Sequence, residues 1–333
     1  MRDLRSLPKA ELHVHLEGSI RVATVRELAE RAGRPAPHGL DGDAWRFDGF
    51  MDFIANYGET CALLTSLEDF RRIAVEFCAD LSLAGVRYAE AVFSPANHAA
   101  RLDDWYGPIE AVLDGLEAGA RDHGVRVQLT PDIVRDLGTE EAERTLEVAT
   151  KFAGRGVVAL NAAGSERAPV ADFASIFARA RQAGLGSVPH AGEWAGPTNV
   201  WQTLEHYTPD RIGHGVRSID DPLLVAELAT RGVPLDVSPV SNVATGVYPS
   251  LEEHPFLLLR DAGVVVTLSS DDPSMFGAWL DDVYEAARET WALDDQELAG
   301  LAVVAVDASF ADDDVKAELR SRIDAWLRSP EAD

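Results

Sequence analysis

Eight short runs rich in apolar and β-branched residues punctuate the chain, at 10–16, 86–94, 126–132, 156–162, 186–191, 211–215, 233–238 and 264–269. Between them lie segments of helical period, such as 109–123, 138–154 and 171–184, several opening on an acidic or Ser/Thr turn and ending at Gly. Near-continuous apolar strands joined by helices argue a parallel sheet. Eight such units in 333 residues predict a closed (β/α)8 barrel, an α/β fold, rather than an open doubly wound sheet. No GxGxxG turn follows an early strand to favour the latter. One domain over 1–333 is therefore expected. The repeat is interrupted after the first strand by 39–84, within which 49–81 reads as two helices, and an insertion there predicts a lid. Past residue 295 the chain is helical again, with 312-DDD-314 as an acidic helix start.

Charge and cysteine content narrow the function. With 56 Asp and Glu against 30 Lys and Arg, the formal charge is −26. Such a field repels phosphate backbones, so no nucleic-acid partner is expected. The two cysteines, Cys61 and Cys78, form no CxxC, which argues against a thiolate zinc site and fits a reducing compartment. No apolar run approaches membrane-spanning length and the N-terminus lacks a signal-peptide core, so a soluble, cytoplasmic protein is expected.

Active sites of such barrels gather at the C-terminal ends of the strands. Strand one ends in His13 and His15, strand four runs into Gly164, and strand five ends at His190 with Glu193 close behind. Strand six ends at His214 and strand eight at Asp271 and Asp272. Period-two alternation puts His13 and His15 on one face of their strand, where both rings can reach an ion on the barrel axis. With His190 and Asp271 they make a nitrogen and oxygen donor set suited to Zn²⁺, with a position left for water. Glycines flank His214 in 213-GHG-215 and give backbone room for close approach of a ligand. His38, His98, His123, His206 and His254 lie in loops or helices and read as structural.

In the stretches 8-PKAELHVHLEGSI-20, 161-NAAGSE-166, 189-PHAGE-193, 211-RIGHG-215 and 267-TLSSDDPSMF-276, the chain resembles the adenosine/adenine deaminases of the amidohydrolase superfamily. The resemblance implies that His13, His15, His190 and Asp271 bind one Zn²⁺. It implies that Glu193 protonates purine N1, that His214 orients the attacking water, and that Asp271 can take the water's proton. His15 and Glu17 would border the substrate, Asp272 would bond N7, and the Gly164 N–H would reach N3. The implied substrate is a small 6-aminopurine nucleoside, adenosine or a 5′-modified relative such as aminodeoxyfutalosine; free adenine is the alternative. Strand four offers no lysine to bridge two metals, which favours one ion over a binuclear hydrolase of the superfamily. The H-x-E and P-C-x-x-C signature of polynucleotide deaminases is absent. The likeness departs on the sugar side: Glu17 stands where adenosine deaminases carry Asp, Val92 where they tend to carry Arg, and Ser238 where Cys is usual. Phe50, Phe53 and Tyr57 read equally as a roof over the pocket or as packing within the insertion. Nothing in the sequence fixes the oligomeric state.

Overall fold

The computed structural model describes residues 1–329, so the last four residues of the expected domain lie outside the described residues. Its strands, in chain order, are β1 (Lys9–His15), β2 (Val86–Phe93), β3 (Arg126–Val134) and β4 (Ala159–Ala163). They continue with a divided β5 (Gly186–Ser187 and His190–Ala191), β6 (Ile212–His214), β7 (Leu235–Val237) and β8 (Val266–Leu268). All neighbouring pairs run parallel in sequence order. The two halves of β5 change partner, the first bonding β4 and the second β6, about Pro189, which has no N–H to give a ladder. The ring closes where the His15 N–H donates to the Asp271 carbonyl at 2.7 Å and the Asp271 N–H returns a bond to His13 at 3.1 Å. This is the (β/α)8 barrel that the eightfold pattern predicts.

Burial explains the near-continuous apolar strands: every residue of β1, β6, β7 and β8 is buried. The lower barrel is filled by paired charges. Arg211 donates to Asp236 at 2.9 Å and to Glu90, and Thr267 donates to Asp236 at 2.9 Å. Buried charges of this kind persist only when paired and hydrogen-bonded. The site therefore rests on a rigid polar floor.

The insertion after β1 contains two helices, α1 (Phe50–Cys61) and α2 (Leu67–Leu83). A reciprocal capping box between Ser66 and Asp69 starts α2 and so separates it from α1. A small antiparallel hairpin, Leu40–Asp41 with Ala44–Trp45, precedes them. Both cysteines are buried free thiols. Asp312 is the N-cap of the helix Asp313–Arg328, and no described helix is long and apolar enough to cross a membrane.

Candidate metal centre and active site

The C-terminal ends of β1, β5, β6 and β8 gather four predicted imidazoles, His13, His15, His190 and His214, around one carboxylate, Asp271. His13 Nε2 and His15 Nε2 lie 3.3 and 3.4 Å from Asp271 Oδ1. His15 Nε2 is 3.3 Å from His190 Nε2. A tetrahedral ion with bonds of ~2.0–2.1 Å holds its donor atoms roughly 3.3 Å apart, so this spacing fits a cation. His13 Nε2 is buried without a hydrogen-bond partner, as a ring nitrogen reserved for a metal would be. Burial pushes His15 down to about 4 and holds His190 well below the ordinary histidine range. Burial would raise Asp271, but His214, His13 and His15 outweigh it and hold the carboxyl well below its usual range. A bound cation would take over that positive charge and leave neutral imidazoles around an ionised carboxylate, the protonation states that a metal requires.

His214 also falls within this cluster: the ligand atoms of His13, His190, His214 and Asp271 lie within 4.8 Å of one another. Hydrogen bonding separates the roles. The Phe256 N–H donates to His254 Nδ1 at 3.2 Å, so a neutral His254 carries its proton on Nε2, which faces Asn242 Oδ1 at 3.1 Å. The Asn242 amide nitrogen then donates to His214 Nδ1 at 3.3 Å. A neutral His214 must therefore hold its proton on Nε2 and has no lone pair there for a cation. That N–H faces Asp271 Oδ2 and Glu193 Oε2, each 3.8 Å away. His190 is fixed in the opposite tautomer. Asn161 Oδ1 accepts from the Ala162 N–H at 2.6 Å and faces His190 Nδ1 at 2.9 Å, so Nδ1 carries the proton and Nε2 is free to coordinate.

Local backbone accounts for this convergence. His214 and Asp271 are non-glycine residues in the left-handed region, at φ 62° and 66°, a conformation that persists where surrounding structure enforces it. Gly213 clears space, though not for a ligand as its position predicts: a Cβ there would lie 2.5 Å from His13 Cε1. The glycine makes room for the ring. Gly18 plays the same part for Asp272, whose Oδ1 would lie 1.7 Å from an added Cβ.

The other acids are tuned apart. Burial, followed by the charges of Asp271 and Glu166, pushes Glu193 well above the carboxylate range. Its segment is pinned by Glu166, which accepts from the N–H groups of Glu193 at 3.1 Å and Trp194 at 2.8 Å. Asp272 is likewise raised, by burial and then by Asp271, Glu17 and Glu193, and its Oδ1 is buried without a partner. Gly164, at φ 80°, sits at the end of β4 with its carbonyl 3.4 Å from Arg135. Glu17 is buried beside His98. Over the mouth, Phe50 meets Trp194 and Phe53 meets Phe276, with ring centroids 5.0 and 4.9 Å apart. Tyr57 stands edge-on to His15. The aromatic residues of α1 thus face the rims of β1, β5 and β8.

Three site-facing groups escape the motif reading, Asn242, His98 and His254, and Asn161 opens the stretch 161–166 with no role assigned to it. The two histidines had read as structural, yet His98 is buried against Glu17 and His254 reaches His214 through Asn242. A lone Asn or His carries no period or spacing that announces its partner. His38, by contrast, is exposed and pairs with Asp52 and Glu59.

Comparison with known proteins identifies the family. The adenosine deaminase family model matches residues 8–326. An aminodeoxyfutalosine deaminase of Streptomyces avermitilis is 40% identical, over 98% of this chain and 95% of its own. The crystal structure of an adenine deaminase from Arthrobacter aurescens aligns with a TM-score of 0.88 at 29% identity, over 97% of this chain and 99% of that one. An amidohydrolase of Burkholderia ambifaria, solved with bound Zn, aligns with a TM-score of 0.86 at 26% identity, over 97% and 92% of the two chains. Matched over nearly its whole length, the chain belongs to the adenosine deaminase family and is a hydrolase of carbon–nitrogen bonds.

Proposed function

We propose that this protein is a cytoplasmic, single-domain, zinc-dependent aminohydrolase that replaces the 6-amino group of a purine nucleoside with oxygen and releases ammonia. The substrate is adenosine or a 5′-modified adenosine such as aminodeoxyfutalosine, the compound named for the Streptomyces avermitilis relative. One observation carries the reading. Asp271 Oδ1 lies at cation spacing from His13 Nε2 and His15 Nε2, 3.3 and 3.4 Å, while Asp271 Oδ2 and Glu193 Oε2 each lie 3.8 Å from His214 Nε2, so an ion site and a second buried carboxyl group meet at one place. Burial pushes Glu193 towards its acid form, which suits it to give a proton.

Attack at C6 of an aromatic ring needs a proton on N1 as C6 becomes tetrahedral, and a desolvated, protonated Glu193 is the donor. His13, His15, His190 and Asp271 would hold Zn²⁺, which when bound would supply a nucleophilic oxygen at neutral pH by bringing the ionisation of water from ~15.7 to roughly 7. The His214 Nε2–H holds the attacking oxygen in line with C6. Asp271 Oδ2 receives the water's proton and returns it to the leaving amine; Ser241, donating to that oxygen at 2.6 Å, keeps it aimed. N7 is an acceptor, so the protonated Asp272 donates to it, while the Gly164 N–H reaches N3. Phe50, Phe53 and Tyr57 of the 39–84 insertion form a lid that excludes water.

Free adenine is the second reading, favoured by Glu17 in place of Asp and by the Arthrobacter aurescens neighbour. Ammonia release from adenosine, 2′-deoxyadenosine, 5′-modified adenosines, N6-substituted purines and adenine tests both. The first reading expects the highest kcat/KM on a nucleoside. Turnover of adenine alone would select the second, and no ammonia from any of them would refute both.

A further inference from the structure

Between β5 and the helix Pro197–His206, the residues 193–195 belong to no strand or helix, yet they carry the acid Glu193 and the rim ring Trp194. Their three consecutive N–H groups all donate to one side chain. Glu166 Oε1 accepts from Glu193 at 3.1 Å, and Oε2 accepts from Trp194 at 2.8 Å and from Ala195 at 2.5 Å. The Glu166 carbonyl also accepts from the Asn199 amide at 3.3 Å, in the first turn of that helix. On the other side of Glu193, the Gly192 carbonyl accepts from the Arg217 N–H at 2.8 Å. Only a carboxylate suits this place: glutamine has one acceptor oxygen, and its NH₂ would be turned against an N–H. Bonds to an ionised acceptor are also the stronger ones.

Glu166 is itself held from β3. Asp136, just past that strand, accepts from the Ser165 N–H at 2.8 Å. An added Cβ on Gly164 would lie 2.4 Å from Asp136 Oδ2, so the two are packed in contact. Arg135 donates to the Gly164 carbonyl at 3.4 Å and to the His190 carbonyl. The ends of β3, β4 and β5 are thus tied together by two carboxylates and a guanidinium, outside the strand ladder. What hangs on the far end of this tie is the Glu193 carboxyl, 3.8 Å from His214 Nε2, and the Trp194 ring, whose centroid is 5.0 Å from that of Phe50 on α1. A shift of the 193–195 backbone would move both.

We propose that Glu166 is a positioning residue for the deamination. Its carboxylate, steadied by Asp136 through Ser165, holds Glu193 at a set distance from the Gly164 amide. The proton donor and the N3 contact then meet the two ring nitrogens that flank C2 of the purine together. Glu166 touches no reacting atom and acts through the backbone it holds. This rests on the aminohydrolase reading and deepens it.

The test is a double-mutant cycle on zinc-loaded protein. It measures kcat and KM for ammonia release from adenosine, or from adenine if that alone is turned over, in wild type, Glu166→Gln, Glu193→Gln and the double variant. Misplacing a reacting group by about 1 Å costs on the order of 10²-fold, so Glu166→Gln lowers kcat by roughly 10–100-fold. Zinc content is unchanged, and kcat/KM falls with kcat. In the Glu193→Gln background the same substitution costs about twofold or less, because the acid it positions is already gone. In metal-free protein, hydrogen exchange of the 193–195 amides quickens in Glu166→Gln while that of β1 and β8 does not. Asp136→Asn, at an exposed position, loosens the same tie and carries the comparison if Glu166→Gln fails to fold. A kcat within about twofold of wild type, an equal loss in both backgrounds, zinc lost from the variant, or unchanged exchange of those amides overturns the positioning role while the aminohydrolase reading stands. No ammonia from any purine with wild-type protein overturns that reading and the role with it.

Discussion

A single methyl group added at residue 213 should disable the metal centre without unfolding the barrel. Gly213 lies in the middle of β6, opposite His190 on one side and Asp236 on the other. Its φ is not in the left-handed region, so Gly213→Ala introduces no backbone strain. The added Cβ would lie 2.5 Å from His13 Cε1 and 2.8 Å from Nδ1, whereas ordinary contact begins at 3.4 Å. The ring must retreat by about 0.9 Å, several times the ~0.2 Å within which metal–ligand distances normally fall. It cannot simply turn aside, because the His190 and His214 rings pack on it with centroids 4.4 and 4.8 Å away. Overpacking of this size costs about 1–3 kcal/mol of stability, which a barrel with this much buried core survives. Misplacing a ligand costs at least as much as losing an outer-sphere partner, so zinc affinity falls by roughly 10–100-fold or more. Competition with a chromophoric chelator reads the affinity, and urea unfolding of metal-free protein reads the stability. A folded Gly213→Ala with wild-type zinc affinity would refute the ring-clearance argument.

Glu193→Gln keeps its volume but cannot donate a proton; turnover should fall by about 10²–10⁴-fold with zinc retained, as metal analysis beside ammonia release will show. Because Glu193 must be protonated and its pKa is raised, chiefly by burial, wild-type activity should fall as pH rises through that value. The glutamine variant should lack this alkaline limb in its pH–rate profile. His254→Phe removes the donor to Asn242 and frees the His214 tautomer: kcat should drop by roughly 10–100-fold with zinc content unchanged and the pH profile displaced. A purely structural His254 would instead lower stability and leave the profile in place. Asn161→Ala takes away the acceptor for His190 Nδ1, so zinc affinity should fall by about 10–100-fold in chelator competition.

The barrel is legible because its strands are buried on both sides and therefore spell apolar runs; the stretches 86–94 and 264–269 stand out for this reason. The pair His13 and His15 is legible because period two is a local signal that survives without partners. Strand five reads as one run, since nothing local reveals that its halves bond different neighbours across Pro189. The hairpin at 40–45 has two-residue strands, too short for any alternation to show. Asn161, Asn242, His254 and His98 lacked a signal because their meaning lies in which ring nitrogen they face. Gly213 shows the limit from the other side. Its small size was legible, but what fills the space depends on a strand almost 200 residues earlier.

The central claim is one cation held by three imidazoles and one carboxylate, with a fourth imidazole outside the coordination sphere. An anomalous difference map collected at the zinc edge from crystals of zinc-loaded protein tests it most directly. The account predicts one peak per chain, bounded by the Nε2 atoms of His13, His15 and His190 and by Asp271 Oδ1, with His214 Nε2 beyond bonding distance. Two peaks, a peak elsewhere, or His214 in place of His15 as a ligand would contradict it.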